Sequence, residues 1–133
     1  LTTPYQPSFH AYGTGLTVQT AVGNHGTWNQ VHDRGNNFTA GSTAYFTAPV
    51  DGVYAFYAQA NFNISVAVPA YWRITKNNVN SGIFYEDSSG GTWAHIQAFI
   101  TMSLSANDTI RWLYKGDPDE GAEWAQCGGY LIG

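Results

Sequence analysis

An acidic stretch near the C-terminus is the first candidate for chemistry, because it concentrates hard oxygen ligands. Asp117, Asp119 and Glu120 place three carboxylates close together. Ca²⁺ is bound by carboxylate and carbonyl oxygens, so these residues are a candidate calcium site. Their spacing differs from that of an EF-hand calcium loop. The other interpretation is a surface turn whose carboxylates are solvated by water. We favour the turn, keep calcium as the open alternative, and expect no other cofactor.

Four tryptophans are the candidates for ligand binding. A Trp side chain offers a large flat apolar surface and one N–H donor, which suits stacking on a sugar ring or anchoring a protein partner. The competing interpretation, burial in the core or in a subunit interface, is the default for most aromatic residues of a small domain. The four candidates are Trp72, Trp93, Trp112 and Trp124.

No arrangement of catalytic side chains is evident in the sequence. Glu86 and Asp87 are adjacent, so in a strand they point to opposite faces and cannot flank one bond as acid and base. No Gly-x-Ser-x-Gly turn is present to expose a nucleophile. Cys127 stands beside two glycines and is predicted to be a buried apolar residue rather than a reactive thiol. We therefore expect a protein that is not an enzyme.

Charge is scarce in this chain of 133 residues, a length typical of one domain. Only 11% of residues are charged, against about 25% in an average domain, while aromatic residues reach 16%. The net charge is −4 and the basic residues stand singly, so we expect no nucleic-acid partner. No apolar run is long enough for a membrane-spanning helix, so we expect no membrane partner. The basic residues are Arg34, Arg73, Lys76, Arg111 and Lys115.

Alternation of apolar and polar residues predicts strands rather than helices. In Val53–Ile64 every second side chain from Tyr54 is apolar, and Trp93–Leu104 repeats the pattern from Ala94. A period of two gives a strand one buried and one wetter face. Shorter runs bring the total to about ten strands, antiparallel because most connections are short, and so predict an all-β sandwich. The other predicted strands are Ser8–Tyr12, Leu16–Val22, Trp28–Val31, Ala44–Thr47, Tyr71–Thr75, Ile83–Tyr85, Thr109–Tyr114 and Trp124–Ile132.

One segment in the middle of the chain carries a family resemblance. Residues 46–56, FTAPVDGVYAF, resemble the signature of the globular head domain of complement component one, subcomponent q. That signature spaces aromatic residues and an Asn or Asp ahead of Gly-x-Tyr-x-Phe. The chain departs from it by single-residue shifts around Trp28 and between Phe38 and Phe46, and by Ala58 in place of a final aromatic. The residues that match are Trp28, Asp33, Phe38, Phe46, Gly52, Tyr54 and Phe56.

Two later segments extend the resemblance along the chain. Residues 104–110 are similar to the family's Leu-x-x-Gly-Asp turn, with Asp108 as the aspartate and Asn107 in the glycine position. Asn tolerates left-handed backbone better than most residues, so the exchange is acceptable. Residues 127–132 resemble the closing strand, in which Gly129 precedes an aliphatic pair that begins at Leu131.

The resemblance implies the fold and the assembly. The family has the antiparallel jelly-roll sandwich that it shares with the tumour necrosis factor ligands, and its heads are usually tight homotrimers. We therefore expect one jelly-roll head at residues 8–133, with residues 1–7 as a linker from an upstream stalk or partner. The low charge and the single Cys are closer to phage and bacterial members than to animal ones.

The resemblance also implies a non-enzymatic role. We expect a homotrimeric head on a virion or secreted fibre, extracellular or at the virion surface, that binds a cell-surface glycan or protein. A structural virion protein, such as a capsid decoration or fibre cap that contacts other virion proteins, is the first alternative. A secreted jelly-roll lectin is the second. The tryptophans and the acidic stretch are the candidate contact residues in each case.

Overall fold

Ten β-strands make up the regular structure of the computed structural model, which describes residues 6–17, 19, 27–64, 70–86, 92–119 and 124–133, with backbone alone at 83–86. No helix occurs within these ranges. The strands are β1 (Ser8–Thr14), β2 (Thr27–Arg34), β3 (Phe38–Thr39), β4 (Tyr45–Thr47), β5 (Gly52–Asn63), β6 (Ala70–Lys76), β7 (Val79–Glu86), β8 (Trp93–Leu104), β9 (Thr109–Lys115) and β10 (Gln126–Leu131).

The strands form two five-stranded antiparallel sheets. The first sheet has the order β2-β1-β10-β5-β8 and the second β3-β4-β9-β6-β7. Strands that are distant in sequence therefore become neighbours, as β10 does between β1 and β5. The predicted all-β antiparallel sandwich of about ten strands is confirmed.

The longest pairing confirms the predicted inward faces. Strand β5 pairs with β8 from Gly52↔Leu104 to Asn63↔Trp93. The even-numbered side chains of β5 are buried, whereas the odd-numbered positions of β8 are exposed. Side chains alternate along a strand, so the even-numbered residues of both strands enter the space between the sheets.

Aromatic rings fill that space in two connected groups. The Trp112 ring meets the edges of Phe9 and Phe56 at centroid distances of 5.3 and 6.0 Å. The Trp72 ring meets Phe62 at 5.5 Å and Tyr114 at 6.1 Å in the same edge-on manner. Edge-to-face contact places the positive edge of one ring against the negative face of another, and ten of the 21 aromatic side chains of the sequence are buried in this core.

Several local predictions differ from the structure. No strand forms at Leu16 or Thr17, and Gln19 makes an isolated bridge with Gly116; the rest of predicted strand Leu16–Val22 lies outside the described residues. Strand β2 continues past the predicted end at Val31 to Arg34, and the short strand β3 was not predicted. Both differences arise because cross-strand pairing, which local patterning does not contain, decides where a strand continues.

The N-terminal boundary also carries contacts. Pro7 is fully buried, and its carbonyl accepts a hydrogen bond from the Leu131 amide at 3.0 Å. The Gln6 side-chain amide donates to the Leu131 carbonyl at 3.3 Å. The predicted linker 1–7 therefore includes two residues that contact β10, while residues 1–5 lie outside the described ranges.

Candidate binding and subunit surfaces

The aromatic residues of the family signature lie in the core. Phe46 stacks on Phe9 at 5.1 Å and meets Tyr54 and Phe56 edge-on at 5.7 and 5.5 Å. Trp28 and Phe38 are also buried. The Tyr54 hydroxyl donates to the Val50 carbonyl at 2.7 Å, which closes the turn before β5.

The two signature aspartates hold turns. The Asp33 carboxylate accepts the backbone amides of Asn37 and Phe38 at 3.0 and 2.9 Å, and so fastens the turn between β2 and β3. The Asp108 carboxylate accepts the Asn77 side-chain amide and the Ser105 amide, each at 2.9 Å. These hydrogen bonds, Asn77 first, lower the pKa of Asp108. Both carboxylates therefore hold the backbone of their turns in place.

The two signature glycines, Gly52 and Gly129, are required by close packing. A Cβ at Gly52 would lie 2.7 Å from the Leu131 side chain, and one at Gly129 would lie 2.9 Å from the Ala55 carbonyl oxygen and collide with the Phe56 ring. Gly52 is the first residue of β5 and has no positive φ, so close packing and not a left-handed turn accounts for the glycine there. Asn107 does adopt a φ of 75°, as its place in the glycine slot predicts.

Burial separates the four candidate tryptophans into two pairs. Trp72 and Trp112 are 0% and 1% exposed, so the prediction that they contact a surface ligand is wrong. The Trp72 indole N–H donates to the Ile96 carbonyl at 3.1 Å inside the core. Trp93 and Trp124 are 51% and 45% exposed, and both remain accessible to a partner.

The acidic stretch lies along β5. The Asn63 amide donates to the Asp117 carbonyl and the Asp119 amide donates to the Asn61 carbonyl, each at 2.8 Å. Glu120 lies outside the described residues. Among the residues that the structure does describe, no group of three His, Cys, Asp or Glu side chains could hold a metal ion. Calcium at Asp117, Asp119 and Glu120 stays a prediction.

The outer face of the first sheet is almost free of charge. Strands β1, β5, β8 and β10 contain no Asp, Glu, Lys or Arg. Phe99 on β8 is 58% exposed and Tyr130 on β10 is 44% exposed. Phe99 pairs with Tyr57 of β5, whose side chain lies on the same face. We call this surface, with Tyr57, Phe99 and Tyr130 at its centre, the aromatic face.

A hydrogen-bonded row crosses the aromatic face. His32, His10, Gly128 and Tyr57 are register neighbours on four adjacent strands. His10 Nδ1 and the Tyr57 hydroxyl oxygen are 2.6 Å apart, and the His10 and His32 rings stack at 6.3 Å. Burial, followed by the neighbouring His32, lowers the pKa of His10. Burial also raises the pKa of Tyr57.

The outer face of the second sheet has the opposite chemistry. Arg111 and Lys115 lie on β9 on either side of Leu113, and Leu113 pairs with Arg73 of β6. The Arg111 guanidinium carbon lies 5.6 Å from the Tyr45 ring centroid. Arg73 is distant from Arg111 and Lys115 in the sequence, and only the pairing of β6 with β9 brings it beside them. We call this surface, made of Arg73, Arg111, Leu113 and Lys115, the cationic face.

The remaining sequence-predicted features are placed as follows. Cys127 is completely buried on β10, and burial raises the pKa of its thiol well above the ordinary value. Asp87 lies outside the described residues. Within the described part of the chain, no helix is long and apolar enough to cross a membrane.

Comparison with known proteins adds the fold assignment. No protein-family model and no curated protein matches the sequence. The structure matches murine APRIL at 14% identity with a TM-score of 0.75, covering 96% of this chain and 99% of that one. The globular domain of zebrafish complement 1qA protein matches at 21% identity with a TM-score of 0.70, covering 96% and 98%.

A third similar structure is Eiger TNF from S. frugiperda, at 14% identity and a TM-score of 0.72, which covers 97% of this chain and 94% of that one. Identities this low establish the fold alone. The coverage is nearly complete on both sides in all three comparisons. The chain therefore has the jelly-roll fold shared by tumour necrosis factor ligands and complement globular heads.

Proposed function

We propose that this chain is a non-enzymatic homotrimeric head, carried by a virion or a secreted fibre of phage or bacterial origin, that binds a ligand on a cell surface. The observation that carries the proposal is the aromatic face. Its four uncharged strands present Phe99 and Tyr130 to solvent, although large exposed apolar patches are uncommon on monomers. A second copy of the chain is the occupant that the jelly-roll fold favours.

The charge pattern supports a seam between subunits. Interface cores are depleted in charged residues and enriched in aromatic ones. In the described strands of the first sheet, the charged positions are Asp33 and Arg34, both in edge strand β2. An obligate seam at β5, β8 and β10 would remove the exposed Phe99 and Tyr130 rings from water, which offsets the entropy cost of association.

The assembly is tested by light scattering of the purified chain and of Phe99→Glu. We expect a mass three times the 14.5 kDa of the chain, and loss of the trimer in Phe99→Glu because a carboxylate would be desolvated in an apolar seam. Val79→Glu is the control, since Val79 is 67% exposed in β7 of the other sheet. A wild-type chain that stays at 14.5 kDa at micromolar concentration would refute the trimer.

The ligand is tested by a glycan array and a whole-cell binding assay with the wild-type trimer. Trp93 and Trp124 are the exposed candidates for stacking on a ligand, so Trp93→Ala and Trp124→Ala are the first variants to compare. Binding in either assay supports a recognition head. A stable trimer that binds nothing in both assays supports the alternative, a capsid decoration or fibre cap. A monomer that binds glycans supports the secreted lectin.

A further inference from the structure

Three of the five basic side chains converge on the outer face of the second sheet. Arg111 and Lys115 flank Leu113 on β9, and Arg73 is the cross-strand partner of Leu113. Directly opposed side chains have Cβ atoms about 5 Å apart, and diagonal neighbours lie about 7–8 Å apart. Arg73 is diagonal to both other cations, so three positive groups surround one apolar side chain.

These cations have no partner charge within the described part of the chain. The ion pair that the described residues contain joins Lys76 to Asp108 at 3.5 Å, away from this face. Arg73 Nε is buried and has no hydrogen-bond partner there. A buried unsatisfied donor is costly, so the Arg73 guanidinium carries unused hydrogen-bonding capacity.

Three of the described carboxylates are engaged elsewhere. Asp33 and Asp108 accept backbone amides in turns, and Asp51 accepts the Ala106 amide at 2.7 Å. A chain of net charge −4 thus gathers three cations on one surface and uses three of its carboxylates to hold backbone amides. Such segregation gives the cationic face a local field of the opposite sign to the whole protein.

Two tyrosine rings position the cations. The Arg111 guanidinium lies over Tyr45, and Lys115 Nζ lies 5.9 Å from the Tyr71 ring centroid. A cation over a ring face is attracted by the ring quadrupole, and side chains ordered before binding lose less entropy when a ligand arrives. The face therefore presents fixed cations beside flat apolar surface from Leu113 and the tyrosine rings.

We propose that the cationic face binds an anionic saccharide, a glycan that carries carboxylate or sulfate groups. This inference rests on the proposed ligand-binding role and names the ligand class. Guanidinium groups match carboxylate and sulfate oxygens in paired hydrogen bonds, while the C–H faces of a sugar ring pack on Leu113 and on tyrosine. Three cations on a protein of net negative charge are too few for a backbone-tracking nucleic-acid site.

The test is calorimetric titration of the full chain with three hexasaccharides: one sulfated, one built of uronic acids and one of neutral glucose. Both anionic probes should bind, and the neutral probe should not. Arg111→Gln and Arg73→Gln should each weaken binding about tenfold or more, because each removes a charge-assisted hydrogen-bond donor. Arg34→Gln, which removes the same charge from the first sheet, should change the Kd by less than about twofold.

Several outcomes would overturn the proposal. If Arg34→Gln lost as much affinity as Arg111→Gln and Arg73→Gln, the loss would be an effect of net charge and not of the cationic face. Equal affinity for a single-stranded hexanucleotide or an acidic hexapeptide would show that the face does not select saccharides. Undiminished affinity in Arg111→Gln and Arg73→Gln would place the ligand elsewhere.

The same variants separate this inference from the proposed function. Light scattering and whole-cell binding are measured for each protein in parallel. A wild-type trimer that binds cells, with Arg111→Gln binding them equally well, would reject the anionic-saccharide site and leave the recognition head intact. A wild-type trimer that binds neither cells nor any probe would reject both.

Discussion

His10 Nδ1 and the Tyr57 hydroxyl oxygen meet at 2.6 Å across β10, directly over Gly128. The contact is made between side chains of β1 and β5, which are not neighbours in the sheet. It requires that the residue between them has no side chain. One glycine thus allows a hydrogen bond to join the two halves of the first sheet on its aromatic face.

Replacing that glycine should destabilise the protein. A Cβ at Gly128 would lie 2.7 Å from the Phe9 carbonyl oxygen and would collide with the Tyr57 ring. We expect Gly128→Ala to lower the free energy of unfolding by about 1–3 kcal/mol, measured by urea titration at one protein concentration. Gly133→Ala, where nothing lies within 4 Å of the new Cβ, should change it by less than about 0.5 kcal/mol. A Gly128→Ala protein as stable as wild type would contradict the packing.

The environment of His10 predicts that the stability of the protein depends on pH. The pKa of His10 lies below its ordinary value of 6.5 in the folded protein, through burial first and His32 second. The unfolded chain therefore binds more protons than the folded one, and stability falls as the pH drops below about 6.5. The groups that face His10 are His32 from β2 and Tyr57 from β5.

We expect the Tm to fall between pH 7.5 and 5.5, and His10→Gln to reduce that fall. His95→Gln removes an exposed imidazole from β8 and serves as the control. A wild-type Tm that is flat across this interval, or a slope that His10→Gln leaves unchanged, would exclude the mechanism. The measurement is thermal unfolding in buffers of equal ionic strength.

The rate at which the Cys127 thiol reacts should measure how often β10 opens to solvent. Its side chain is completely buried and its thiol pKa is raised by burial, while thiol reagents attack the thiolate. Native protein should react with a disulfide reagent about a thousandfold or more slowly than protein in urea. The control carries Cys127→Ala with Ser81→Cys, at an exposed position of β7 in the second sheet. Native Cys127 reacting as fast as that control thiol would contradict its burial.

Calcium should have little effect on stability. Asp117 and Asp119 are held against β5 by backbone hydrogen bonds, and the spacing of Asp117, Asp119 and Glu120 differs from that of an EF-hand calcium loop. We expect the same Tm with excess chelator and with about 1 mM calcium, a level that fills weak extracellular-type sites. A calcium-dependent rise in Tm that Asp119→Asn abolishes would instead establish the calcium site.

The turns could be predicted from local residues, but the hydrogen bonds that hold them could not. Asn107 adopts a φ of 75°, as its position in a resembling turn implies, because Asn tolerates left-handed backbone. The role of Asp33 depends on the amides of Asn37 and Phe38, which come within reach once β2 ends and the chain reverses. A family pattern indicates that such a residue matters, and only the geometry shows what it holds.

The sequence by itself determined the two longest strands and their inward faces, because a period of two assigns alternate side chains of β5 and β8 to opposite sides. The same alternation separates two of the tryptophans, because Trp72 lies on the buried side of β6 and Trp93 on the exposed side of β8. The exposed position of Trp124, which precedes β10, came only from the tertiary structure.

The two outer faces were decided by tertiary structure alone. Arg73 and Arg111 are isolated in the sequence and become diagonal neighbours because β6 pairs with β9. His10, Gly128 and Tyr57 align because β10 inserts between β1 and β5. Side-chain alternation is a local property of the chain, but strand order is set by long-range pairing, and strand order is what assembles a surface.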